Sequence, residues 1–113
     1  MKTAIRVALF LTIAILLVVS LLFPLMHTII DPLVVVANES VYAELITAAG
    51  REDQLFQTYT NGNGHCNFTG TQFLTAVGAI DVWVRTGVKP TNAFFPAALG
   101  FQQTFVPPPM LQP

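Results

Sequence analysis

Residues 7–30 read VALFLTIAILLVVSLLFPLMHTII, a run with no formal charge and only Thr12, Ser20, His27 and Thr28 as polar relief. Whatever the chain folds into must bury this run in protein or place it in lipid, because apolar surface left in water costs about 25 cal/mol per Å². Lys2 and Arg6 precede it, which is the charge pattern of the n-region and h-region of an export signal. About 20 apolar residues also suffice to cross a bilayer as a helix. No A-x-A cleavage pattern follows. Val18-Val19-Ser20 is a weak substitute and Val35-Val36-Ala37 lies too far from the basic start, so an uncleaved anchor fits better than a cleaved signal. The positive-inside rule keeps Lys2 and Arg6 cytoplasmic and sends residues 31–113 outward. The expected location is therefore membrane-anchored or secreted, with membrane association through residues 7–23. The competing reading is a soluble core segment, since a buried parallel strand is also a continuous apolar run. Pro24 divides the run, because proline breaks helix interiors and disfavours α geometry in the residue before it. The reading is a hydrophobic helix over residues 7–23 and a strand over Leu25–Ile30.

The remaining balance excludes several classes. With 113 residues there is room for one small domain. The composition, 53% hydrophobic and 10% charged, is not that of a disordered chain. A net charge of −1 leaves no basic patch for a phosphate backbone, so no nucleic-acid partner is expected. The single cysteine, Cys66, excludes an internal disulfide, a cysteine-based zinc cluster and a C-x-x-C redox motif.

Beyond the run, strand and helix alternate. Leu25–Ile30 ends at Asp31-Pro32 in the manner of a buried strand. Asn38 is a favourable N-cap, with Glu39 at the positive end of the helix dipole. Val41, Leu45 and Ala48 follow helical spacing, and Gly50 suits the C′ position. Residues 54–60 are β-prone, with Leu55, Gln57 and Tyr59 on one face and Phe56, Thr58 and Thr60 on the other. Asn61-Gly62-Asn63-Gly64 is turn chemistry, not regular strand. Thr69-Gly70-Thr71-Gln72 forms a capping box for a helix that carries Phe73, Val77, Ile80 and Val84 on one stripe and ends at Gly87. Asp81 and Arg85 make an i, i+4 pair on it, and Trp83 is a packing residue. Past Lys89-Pro90 the chain reads as loop, closing in a stiff proline tail.

The order is thus strand, Asp31, helix, strand, His65, helix. Open α/β sheets bind ligands just beyond the carboxyl ends of their parallel strands, where Asp31 and His65 both fall. A carboxylate from one strand can fix the tautomer of an imidazole from the next and stabilise its charged form. Taken singly, Asp-Pro after a strand is also an ordinary turn, and a loop histidine is also ordinary polar surface. Cys66 next to His65 invites a thiol nucleophile, but adjacent residues seldom point at each other, and the expectation is a buried, inert thiol. His27, His65 and Asp31 lack metal-ligand spacing, so neither metal nor cofactor is expected. His27 reads as a buried or hydrogen-bonded strand residue. Asn38-Glu39-Ser40 and Asn67-Phe68-Thr69 are glycosylation sequons of the kind that also arise by chance.

The stretches PLMHTIIDPLVVVANESVYAEL, YTNGNGHCNFT and AIDVWVRTGVKP resemble the carboxyl-terminal end of α/β-hydrolases, close to secreted esterase or peptidase-like members. The resemblance covers residues from about 24 to 113. It implies a partial α/β-hydrolase fold, the last two strand–helix units of a mostly parallel sheet, preceded here by the N-terminal hydrophobic helix. The domain division that follows is a signal or anchor segment over 1–23 and a hydrolase-like part over 24–113. In such enzymes the triad runs Ser, acid, His, with the serine on a G-x-S-x-G elbow. The resemblance makes Asp31 the triad acid and His65 the triad base. This sequence has no G-x-S-x-G, and its only serines, Ser20 and Ser40, lack flanking glycines. Without a nucleophile no acyl-enzyme forms. The expectation is therefore the terminal part of a serine hydrolase, truncated or mis-started and inactive alone, with an ester or peptide as substrate of the complete enzyme. The alternative is a small membrane-anchored, non-enzymatic binding domain derived from a hydrolase end. Two strands cannot cover a sheet, so an exposed edge open to self-association is expected as well.

Overall fold

The computed structural model describes residues 5–6 and 23–111, so the apolar helix expected over residues 7–23 lies outside the described residues except at Phe23, which already begins a strand. Strand β1 spans Phe23–Ile30 and strand β2 spans Leu55–Asn63. They pair in parallel, from Phe23 opposite Leu55 to Thr28 opposite Thr60. Pro24 sits second in β1, a position at the start of a strand where a missing N–H is tolerated. Parallel strands need a long crossover, and helix α1, Asn38–Ala48, supplies it. Helix α2, Gly70–Thr86, follows β2. The chain is therefore an α/β mix, a two-stranded parallel sheet with two helices. Among the described residues no helix is long and apolar enough to cross a membrane.

The two faces of the sheet are covered differently. Gln57 reaches the backbone carbonyl and carboxylate of Glu39 at the start of α1, both within 2.8 Å. Phe56, one residue earlier and hence on the opposite face, stacks on Phe95 with ring centroids 5.0 Å apart. Ala79 of α2, Phe95 and Phe101 form the buried cluster on that side, with Met26, Phe56, Ala76 and Leu99 packed around it. The expected loop after Pro90 is thus corrected. It makes short 3₁₀ turns at Asn92–Phe94 and Ala97–Leu99 and delivers two phenylalanines to the core. It also bonds the outer side of β2 over Tyr59–Asn61. Asn61 N–H donates to the Gly100 carbonyl at 2.9 Å and Gln102 N–H to the Tyr59 carbonyl at 2.8 Å, so Phe101 bridges Thr60 in antiparallel fashion. The outer edge of β1 pairs with no strand among the described residues.

Other local readings hold or fail for identifiable reasons. The Thr69–Gln72 capping box forms in both directions, and Gly87 takes the left-handed conformation at φ 70° that ends α2. Gly50 likewise follows α1 at φ 67°. Arg85 pairs with Asp81. Asn38, by contrast, is the first helical residue and not the cap. The chain enters α1 through tight turns, Asn38 N–H to Val35 and Glu39 N–H to Val36, and Ala37 makes no side-chain cap. The apolar spacing points outward on α1 and is divided on α2, where Ile80 and Val84 are half-buried. Val41 and Leu45 are exposed on α1, as are Phe73 and Val77 on α2, whose buried residues are Gln72, Ala79 and Trp83. Helical period alone marks a stripe, and which stripe is buried depends on how many strands lie beneath it.

Candidate functional site

Asp31 leaves β1 at its carboxyl end, and Pro32 prevents the ladder from continuing. The carboxylate is locked where it stands. Its Oδ1 accepts the backbone N–H groups of Leu33 and Val34 at 2.8 and 3.0 Å, an Asx-type turn in which the side chain takes the place of a backbone acceptor. That leaves Oδ2, which meets His65 Nδ1 at 2.8 Å. The Asp31 side chain is 3% exposed and that of His65 is 44% exposed. One partner is therefore packed into the protein and the other faces solvent.

The His65 loop is held by main-chain bonds. Gly64 N–H donates to the Ile30 carbonyl at 2.7 Å, and the Gly64 carbonyl accepts the Thr28 hydroxyl at 2.8 Å. Asn67 Nδ2 donates to the Asn63 carbonyl across the turn. Contrary to the expected plain turn over residues 61–64, β2 runs on through Asn63. The pairing slips there, with Ile30 opposite Asn63, a bulge-like irregularity of the kind that re-aims the residues that follow it. Gly64 at φ 116° then turns the chain. Cys66 also adopts a left-handed backbone, at φ 52°, and its side chain is exposed. The expectation of a buried thiol fails because the left-handed step turns Cys66 out at the loop tip.

The pair borders a small pocket of about 110 Å³, lined in part by Met26, Val34, Cys66 and Phe68. A carboxylate that takes Nδ1–H as donor sets the imidazole tautomer, leaving Nε2 with the lone pair of a base. Loss of solvent at Asp31 raises its pKa. The hydrogen bonds from Val34 N–H, the His65 ring and Leu33 N–H, with the charge of His65, outweigh that effect and lower the pKa from 3.8 to about 2. A carboxyl held below its unfolded value stabilises the fold above that value. The contribution is complete above pH 3.8 and is lost as pH falls through about 2. Urea midpoints measured on either side of this window should fall with acid in the native chain. Asp31→Asn should flatten that slope, and an unchanged slope would show the carboxylate to be unlinked to folding.

Of the remaining sequence candidates, His27 lines the same small pocket as the pair but is bonded elsewhere. His27 is buried and donates Nδ1–H to the Thr28 carbonyl at 2.7 Å, a structural role. Ser40 shares its hydroxyl proton between the Ala37 and Pro108 carbonyls, and Ser20 lies outside the described residues. Trp83 is buried at 3% exposure, as a packing residue should be. Among the described residues no group of three His, Cys, Asp or Glu side chains could hold a metal ion. Thr28, Gly62 and Gly64, which shape the His65 loop, were not singled out as site residues. The two glycines carried a signal, lying in the Asn-Gly-Asn-Gly run; the threonine carried none. Comparison of the chain with protein-family models, with curated proteins and with solved structures found no match.

Proposed function

We propose that this chain is the acid–base part of a serine hydrolase of the α/β-hydrolase type, acting on ester or peptide bonds in the complete enzyme. The observation that carries the reading is the 2.8 Å contact of Asp31 Oδ2 with His65 Nδ1 at the carboxyl ends of two adjacent parallel strands. Asp31 is the acid that orients the ring, and His65 is the base that takes the nucleophile's proton. The sequence contains no serine in an elbow motif, so the nucleophile must come from outside this chain and the chain alone turns nothing over. No cofactor enters the chemistry. Residues 7–23 associate with membrane, and the hydrolase part is anchored or secreted.

The outer edge of β1, without a strand among the described residues, supports the same reading, since a truncated sheet leaves such an edge; the alternative is a membrane-anchored binding domain without activity. The native size of the product separates the two. An antibody to the Phe101–Pro113 tail should detect a band well above 12.3 kDa, and a fluorophosphonate probe specific for activated serines should label the same band. A single unlabelled band near 12.3 kDa in the membrane fraction would remove the enzymatic reading in favour of the binding domain.

A further inference from the structure

We propose that Thr28 is a positioning residue for the Asp31–His65 pair, its hydroxyl fixing Gly64 so that the imidazole meets the carboxylate. The inference rests on the reading of that pair as acid and base. Thr28 is 1% exposed in β1, three residues before Asp31. Its Oγ1 lies 2.8 Å from the Gly64 carbonyl, which can only accept, so the hydroxyl donates. Gly64 N–H is bound to the Ile30 carbonyl at 2.7 Å. The residue before His65 is thus clamped on both its polar groups by the last residues of the strand that carries Asp31. The N–H bond alone leaves the peptide leading into His65 free to rotate, and the hydroxyl removes that freedom.

Gly62 makes the clamp accessible. A Cβ there would lie 2.6 Å from the Asn67 carbonyl and 2.9 Å from Thr28 Cγ2, closer than real side chains approach. Only glycine lets the returning loop settle against Thr28. The threonine methyl fills the space beneath Gly62 while its hydroxyl holds Gly64, so both branches of the side chain are used.

The test reads the ring directly in the full, ¹⁵N-labelled chain. The native protein should show His65 in one tautomer with a slowly exchanging Nδ1 proton. Thr28→Val keeps the shape and removes the donor, and should speed exchange of that proton about tenfold, the factor that follows from one lost hydrogen bond. Thr28→Ser should restore the native rate. The Trp83 indole signal reports the core. If Thr28→Val disturbs it as well, Thr28→Ala compared with Thr28→Ser decides, since both lack the methyl and only serine keeps the donor: faster exchange in the alanine than in the serine variant supports the role, and equal exchange refutes it. Native exchange in Thr28→Val overturns the positioning role while leaving the pair intact. Absence of a protected Nδ1 proton in the native chain would instead overturn the acid–base pair, and the role of Thr28 with it.

Discussion

In the longer hydrolase to which this segment is proposed to belong, His65→Ala and Asp31→Asn should each lower turnover by about four orders of magnitude, with KM little changed. The size follows from how the two groups act. Asp31 accepts the Nδ1 proton, so Nε2 is left unprotonated to serve as base. An asparagine can instead donate to Nδ1 and hold the ring in the opposite tautomer, with its proton on the nitrogen that should receive one. Removing the ring abolishes the base altogether. Because a triad acts as a unit, the two losses should not add, and the double variant should resemble His65→Ala alone. The present chain should hydrolyse p-nitrophenyl esters no faster than buffer, before or after His65→Ala. Ester hydrolysis by this chain that disappears with His65 would mean that a nucleophile other than an elbow serine is present, and the account of the site would have to be rebuilt.

The second large effect concerns the fold. Phe101→Ala should bring the chain to the edge of unfolding at 25 °C, with most of its urea midpoint lost. Phe101 is 1% exposed, lies edge-on to Phe95 with centroids 5.1 Å apart, and its backbone bridges Thr60. Truncating a buried phenylalanine costs about 3–5 kcal/mol, against a typical stability for whole domains of about 5–15 kcal/mol. A core whose fully buried apolar cluster is Ala79, Phe95 and Phe101 belongs at the low end of that range. Trp83 emission should move toward that of exposed indole at urea concentrations that leave the native chain folded. Val106→Ala, at a position 79% exposed, should change the urea midpoint hardly at all. A Phe101→Ala variant that keeps a native midpoint would place the core elsewhere.

Much of the site was legible because it depends on short-range signals. Asp-Pro after an apolar run ends a strand, a glycine-rich turn before Gly-His delivers a loop, and strand–helix alternation puts both at one end of a parallel sheet. The capping box at Thr69 was readable for the same reason, since its four residues carry the whole motif. Long-range features were not. Phe95 and Phe101 sit in a segment rich in Pro and Gln whose local pattern is loop, and nothing nearby reveals that its aromatic residues fold back on β2. The stripe on α1, and the first half of that on α2, misled because a helical period gives the orientation of residues relative to one another and not relative to a sheet. Cys66 misled because a typical burial preference was applied to a residue whose backbone is left-handed. Thr28 was invisible as a clamp because its partner lies thirty-six positions away.

The unequal edges of the sheet have a consequence for assembly. The Gly100–Gln102 segment caps the end of β2, while β1 presents its outer side without a strand among the described residues. Two copies that joined β1 to β1 about a two-fold axis would use up that edge of both, leaving for a third copy only the part of β2 before Tyr59 that Gly100 and Gln102 do not bond. Self-association by this route would favour a pair over a longer array, because the second edge is shortened by its cap, where a sheet open along both sides would propagate into a fibre.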